Sequence, residues 1–230
     1  MGINTKLRKL TYFHIPKTGG RFLSSNTIDI FKNDLINKKI STIDKIGKSR
    51  HQSFYYLDND ELAKPMVSIR NPIDRTISHY LYILQNTLSG DIKKDKSKFL
   101  NYITSEKCLI GNYQSKFICS NIKKLDLVDN DIYESNLNKD IIYNRLSKVF
   151  YLIKTESINK ELCTKIVLDC YKDYDIEPNS WLINQVFDKK HFVNPESEIL
   201  RKSLTSLEIR TIENVVDVDM EIYETSRYFF

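Results

Sequence analysis

Two segments of this chain pair a short apolar run with a breaker and a helix start, and they constrain the fold more than any other feature. Leu10-Thr11-Tyr12-Phe13-His14-Ile15 is β-branched and aromatic, is stopped by Pro16 and Gly19-Gly20, and leads to a helix starting near Arg21. Met66-Val67-Ser68-Ile69 is a short apolar strand of the buried parallel kind, followed by Asn71-Pro72. Asn is a good N-cap and Pro suits the first helical position. Ile73, Ile77, Tyr80, Leu81 and Leu84 then recur at helical spacing, which predicts a helix from about Pro72 to Leu88. Val149 to Ile153 reads as a third strand. Ser157 can cap the next helix, with Ile158, Leu162, Ile166 and Leu168 on or near its inner face. Thr205-Ser206-Leu207-Glu208 has the form of a capping box. Strands alternating with helices imply an α/β fold with a parallel sheet.

Length and charge set the frame around those segments. At 230 residues the chain makes one large domain or two small ones. It carries no internal repeat and no Pro/Gly/Ser-rich linker, so the expected organisation is one domain over residues 1–230. The polar stretches 90–98 and 126–138 read as surface, the first as a loop between helices. A net charge of +5 favours anionic ligands without choosing among nucleotide, sulfated sugar and nucleic acid. No apolar run approaches the roughly 18 residues of a membrane helix. Residues 1–9 hold no apolar signal core. Cys108, Cys119, Cys163 and Cys170 form no CxxC pair, which argues against zinc. Cys163 and Cys170 are expected as buried thiols on one helix face, and the expected location is a reducing cytoplasm.

Both junctions suit phosphate. In Pro16-Lys17-Thr18-Gly19-Gly20-Arg21 the glycines let the backbone approach an anion, the helix start offers N–H groups, Lys17 adds charge and Thr18 a hydroxyl. The alternative is an ordinary strand-to-helix turn. It is not a Walker A loop, because Lys17 precedes the glycines instead of following the last one. At the second junction Arg70 leaves the strand end and Ser78 lies one to two turns into the helix, so both can reach one phosphate at the carboxyl edge of a sheet. The competing reading is an Arg70–Asp74 ion pair with Ser78 as filler.

Pro16-Lys17-Thr18-Gly19-Gly20, together with Arg70-Asn71-Pro72, Arg75, Ser78 and Tyr80, resembles the cofactor signature of the sulfotransferases that use 3′-phosphoadenosine-5′-phosphosulfate (PAPS). The match is most similar to the carbohydrate sulfotransferases that include the heparan sulfate 2-O-sulfotransferases. Weaker similarities lie in Gly111 to Phe117, in the strand 149–153 with Thr155-Glu156, and in Asp219 to Tyr223. The resemblance implies a P-loop-like three-layer fold, with a central parallel sheet flanked by helices. It implies that Pro16, Lys17, Thr18, Gly19, Gly20 and Arg21 hold the 5′-phosphosulfate and that Arg70 and Ser78 hold the 3′-phosphate. Arg21 and Phe22 depart from the pattern, which usually has hydroxyl residues there; Arg21 either replaces the lost contact with a charged one or faces solvent.

The resemblance further implies in-line transfer of a sulfuryl group to a hydroxyl acceptor, with a glycan favoured, no metal, and 3′-phosphoadenosine-5′-phosphate (PAP) as product. The general base of that family is usually a His or Glu between the two motifs. His51 is the histidine in that interval, and Glu61 is the runner-up. Lys17 is expected to neutralise charge on the bridging oxygen. His14 and His79 read as packing residues, while Lys190 and His191 are candidates for lining the acceptor cleft, as is Glu61. Rival functions remain: a non-catalytic PAP-, nucleotide- or glycan-binding protein with a degenerate site, a small nucleotide kinase, or a basic nucleic-acid-binding module. The kinase needs a Walker A lysine and a Mg²⁺ ligand that the sequence does not display. The nucleic-acid module has no reading motif, and its basic residues are interspersed with 30 acidic ones, so neither nucleic acid nor membrane is an expected partner.

Overall fold

The computed structural model describes residues 9–38, 54–58, 63–87, 95–106, 108–123, 127, 129–173, 175–184, 186 and 195–226. Three parallel strands, β1 (Lys9–Phe13), β2 (Ala63–Ile69) and β3 (Tyr151–Lys154), form a small sheet in that order. Tyr12 lies opposite Met66 and Phe13 opposite Val67; on the other side of β2, Met66 lies opposite Tyr151 and Ser68 opposite Ile153. Because every strand runs the same way, Phe13, Ile69 and Lys154 all end at one edge of the sheet.

The period-two alternation of the strands sends their side chains into two separate cores. Leu10, Tyr12, Met66, Tyr151 and Ile153 pack on one face, under α1 (Gly20–Asn26), α2 (Ile28–Asn37) and α8 (Lys160–Asp173). Phe13, Val67, Ile69 and Leu152 pack on the other, against α5 (Tyr113–Cys119), α7 (Lys139–Ser147) and α12 (Asp217–Thr225). The sheet is therefore covered by helices on both sides, a mixed α/β arrangement. A third core joins α3 (Pro72–Thr87) to α4 (Lys96–Ile103), α10 (Pro195–Ser203) and α11 (Ser206–Val215). The short helices α6 (Asp129–Tyr133) and α9 (Ser180–Asn184) complete the set among the described residues. None of these helices is long and apolar enough to cross a membrane.

Local chemistry sets the helix ends. Asn71 Oδ1 accepts the N–H groups of Ile73 and Asp74 at 3.1 and 3.3 Å, so α3 starts at Pro72 as its Asn-Pro pair dictates. Ile73, Ile77, Tyr80 and Leu81 are buried, as their spacing requires. Thr205 and Glu208 close the capping box of α11. A hydrogen bond from Thr27 Oγ1 to Leu23 O, at 2.6 Å, accompanies the break between α1 and α2.

The structure differs from expectation at several points. Ser157 does not cap α8; Asn159 does, accepting the Leu162 N–H at 2.8 Å, while the Ser157 hydroxyl turns back onto Lys154 O. Leu168 is not on the inner face but 40% exposed, displaced by Ile166, Val167 and Cys170. The polar stretch 126–138 is not all surface, because it buries Leu127 and Ile132. Strand β2 begins three residues earlier than Met66 and includes Pro65, whose carbonyl accepts the Phe150 N–H at 2.8 Å.

Candidate functional site

Three chain segments meet at the carboxyl edge of the sheet: residues 14–19 after β1, Arg70-Asn71 after β2, and Thr155-Glu156 after β3. In parallel sheets this edge is where backbone groups at strand ends and helix starts are open to a ligand. The first segment is held from below by a chain of hydroxyls. Thr18 Oγ1 donates to Ile15 O at 2.7 Å, so it must accept from Ser68 at 2.9 Å, and Ser68 in turn accepts from Tyr12 at 2.6 Å. Burial pushes the Tyr12 phenol well above its usual range, which keeps it a donor. The Thr18 hydroxyl is thus fully buried and points into the sheet. The side-chain contribution to an anion expected of Thr18 is spent inside the protein, because its single proton is committed to Ile15 O.

The glycines are required by packing at this junction. Gly19 has φ 72°, a left-handed conformation, and a Cβ there would lie 2.7 Å from the Thr155 methyl. A Cβ on Gly20 would run into the His14 imidazole, which stacks on Tyr12 with centroids 5.7 Å apart. His14 is accordingly the packing residue its sequence suggested. Lys17 also lies in the left-handed region, at φ 69°. Its carbonyl accepts from Arg70 Nη1 at 3.4 Å, and its ammonium sits over the Tyr82 ring, 3.8 Å from the centroid. Lys17 therefore spans from the end of β2 to the end of the third turn of α3. Ser78 lies four residues before Tyr82, on the same helix face, half-buried. The structure brings Lys17, Arg70 and Tyr82 together, with Ser78 one turn before Tyr82 on α3.

Arg70 does not pair with Asp74. Asp74 is held by Arg201 of α10 at 3.2 Å, and among the described residues no carboxylate neutralises the Arg70 guanidinium. Its backbone is fixed by Gln114, whose Oε1 accepts the Arg70 N–H at 2.9 Å and whose Nε2 donates to Arg70 O at 3.0 Å. Gln114 is buried and its helix is anchored by Asp219, which accepts from the Gln114 N–H at 3.1 Å, the Ser115 N–H at 2.7 Å and the Ser115 hydroxyl. Burial pushes the Asp219 carboxyl up; the Ser115 donors, the Arg75 charge and the Gln114 N–H counter it in part.

Arg75 is the second arginine of the junction and is fully buried. Its guanidinium reaches Pro16 O at 3.4 Å, Ile110 O at 3.3 Å and His79 Nδ1 at 2.7 Å, and stacks on Tyr113 at 3.8 Å. Arginine only donates, so His79 accepts at Nδ1 and carries its proton on Nε2. Both residues build the loop's foundation and neither faces a ligand. The third segment ties the first two together. Thr155 Oγ1 lies 2.7 Å from Thr18 O and 3.0 Å from Ile69 O, and Glu156 Oε1 accepts the Asn71 N–H at 2.8 Å. With Asn71 Oδ1 occupying the first N–H groups of α3 and Glu156 the N–H of Asn71, an anion at this edge is left to the Gly19-Gly20 backbone and to the side chains of Lys17, Arg70 and Ser78.

His51, Glu61, Lys190 and His191 lie outside the described residues, as does the side chain of Arg21. Two cavities of about 400 and 260 Å³ lie away from these loops. The larger is lined by Cys108, Asn112, Lys116 and Val215, the smaller by Leu168, Tyr171 and Pro178. Neither holds the paired cations of the sheet edge, so the chemistry points to the edge. Among the described residues no group of His, Cys, Asp and Glu is gathered to hold a metal ion. Gln114, Thr155 and Tyr82 went unassigned in the sequence. Gln114 and Thr155 lay within segments noted only as weaker similarities, and each of the three acts through a contact with a residue dozens of positions away. No family model matches the chain, and no curated protein or solved structure is significantly similar to it.

Proposed function

We propose that the chain is a PAPS-dependent sulfotransferase of P-loop-like fold that acts on a hydroxyl acceptor, with a glycan the favoured class. The observation that carries the reading is the meeting of Lys17 and Arg70 at the carboxyl edge of a parallel sheet, with Arg70 free of any described carboxylate and Ser78 on the helix that follows. Two cations after neighbouring strand ends and a hydroxyl on the following helix suit a ligand with phosphate at both ends of a nucleoside. Bound PAPS would supply the sulfuryl group. The chain's own part is to hold the 5′ side at Lys17 and the Gly19-Gly20 backbone and the 3′-phosphate at Arg70 and Ser78. His51 accepts the acceptor's hydroxyl proton, and the Lys17 ammonium faces the charge left on the departing phosphate. Arg21 and Phe22, in place of hydroxyl residues, favour a second reading, a PAP-binding protein without turnover.

Thermal unfolding with PAP, 5′-AMP and ADP separates these functions from the rest. PAP at a hundred times its Kd stabilises by about 2.7 kcal/mol, a rise of roughly 5–11 °C for a chain of this size. A rise with PAP well beyond that with the other two is expected. An equal rise with ADP points to a general nucleotide site, and no rise with any of them removes the sulfotransferase reading. Where PAP binds, His51→Ala divides enzyme from binder: sulfuryl transfer to a glycan collapses in the enzyme, while PAP affinity holds in both.

A further inference from the structure

We propose that Tyr82 is a positioning residue for Lys17, its ring holding the ammonium against the α3 face where an anion is bound by Arg70 and Ser78. The inference rests on the cofactor reading given above. Lysine has more side-chain freedom to lose than almost any residue, and a flexible ammonium contributes little to binding if that freedom is surrendered on each encounter. Here two constraints remove it beforehand. The left-handed φ of 69° at Lys17 fixes the direction in which its side chain leaves the loop, and the Tyr82 ring receives the far end at 3.8 Å. The geometry is that of a cation–π contact. Tyr82 is 42% exposed, so the contact lies at the protein surface, within reach of solvent.

Placement makes the contact more than incidental. Ser78 and Tyr82 share a face of α3, and the Lys17 carbonyl is the acceptor of the Arg70 guanidinium. The loop residue is thereby gripped at both ends by the second junction, its backbone by Arg70 and its charge by Tyr82. A ligand that bridges the two junctions meets a lysine already in place.

The experiment is a double-mutant cycle read by isothermal titration of PAP into wild type, Tyr82→Phe, Tyr82→Leu, Lys17→Met and the Lys17→Met/Tyr82→Leu pair. Tyr82→Phe keeps the ring face and should bind within about twofold of wild type. Tyr82→Leu should bind roughly 3- to 30-fold more weakly, the range of a cation–π contact. In the Lys17→Met background the same Tyr82→Leu change should cost nothing further. An equal loss in both backgrounds overturns the proposal, as does a loss in Tyr82→Phe as large as in Tyr82→Leu. PAP binding with an additive cycle overturns the role of Tyr82 alone; wild type that does not bind PAP overturns the cofactor reading and this inference with it. Thermal unfolding of the same variants without ligand should show the coupling independently, and a zero coupling there also counts against the contact.

Discussion

The carboxamide of Gln114 pairs with both backbone polar groups of Arg70, accepting the N–H at 2.9 Å and donating to the carbonyl at 3.0 Å. A side chain here does what a neighbouring strand would do, at the point where β2 has ended and no strand is left to do it. The direction in which the Arg70 side chain leaves the sheet is set by a residue 44 positions later.

Replacing Gln114 should therefore disturb Arg70 before anything else. Gln114→Leu keeps the volume and strands both backbone groups, a penalty of about 1–3 kcal/mol per unsatisfied buried group, less where water reaches it. The expected outcome is a lower midpoint in thermal or urea unfolding. It should come with weaker PAP binding that the unfolding loss does not explain, measured by titration well below the new midpoint. A variant that unfolds earlier yet binds PAP like wild type would show that the Arg70 turn is held by other means.

Gly19 and Thr155 should behave as a coupled pair. Gly19→Ala puts a methyl in the left-handed region, at a cost of about 1 kcal/mol or more, and drives it against the Thr155 methyl 2.7 Å away. Thr155→Ser removes that methyl and retains the hydroxyl that bridges Thr18 and Ile69. In the Thr155→Ser background the same Gly19→Ala change should cost less, leaving the backbone strain alone. Equilibrium denaturation of the four proteins measures the coupling, and strict additivity would contradict the close approach.

The junctions were legible in sequence because their information is local. An Asn-Pro pair before an apolar 3.6-residue period defined α3 to within a residue, and the Thr205–Glu208 box defined the start of α11. What the sequence did not reveal is long-range. Asp74 has Arg70 in the same junction and Arg201 far along the chain, and only the packing of α10 on α3 decides between them. Asn159 and Ser157 are both good caps two residues apart, and the tight turn after β3 leaves the role to Asn159. Thr18 carries the hydroxyl a phosphate loop would use, yet Ser68 on the next strand lies beneath it and turns it inward. The convergence of Lys17 and Arg70 followed from two strand ends, but the segments holding Gln114 and Thr155 gave no hint of these contacts, and Tyr82 was not marked at all.

Thiol labelling should follow burial. Burial pushes the Cys163 thiol up to about 11 and the Cys170 thiol up to about 12, the latter aided by Asp173 and Asp169. Neither forms appreciable thiolate at pH 8 in the folded protein. Cys119 is buried as well, and Cys108 is only partly so. Iodoacetamide at pH 8 followed by peptide mass spectrometry should modify Cys108 first, with Cys163 and Cys170 reacting only as denaturant is added. Early labelling of Cys163 or Cys170 in the native protein would contradict the α8 face assigned here.

Lys17 occupies a backbone conformation in which glycine is at ease and a lysine is not. A glycine there would relieve a cost of about 1–2 kcal/mol, offset in part by its own greater freedom in the unfolded chain and by loss of the contact with the Tyr82 ring. The position is thus one where robustness and performance pull apart. Lys17→Gly should therefore change stability little while removing the Lys17 charge from the sheet edge. A lysine in that conformation carries a backbone cost that the proposed anion site gives a reason to bear.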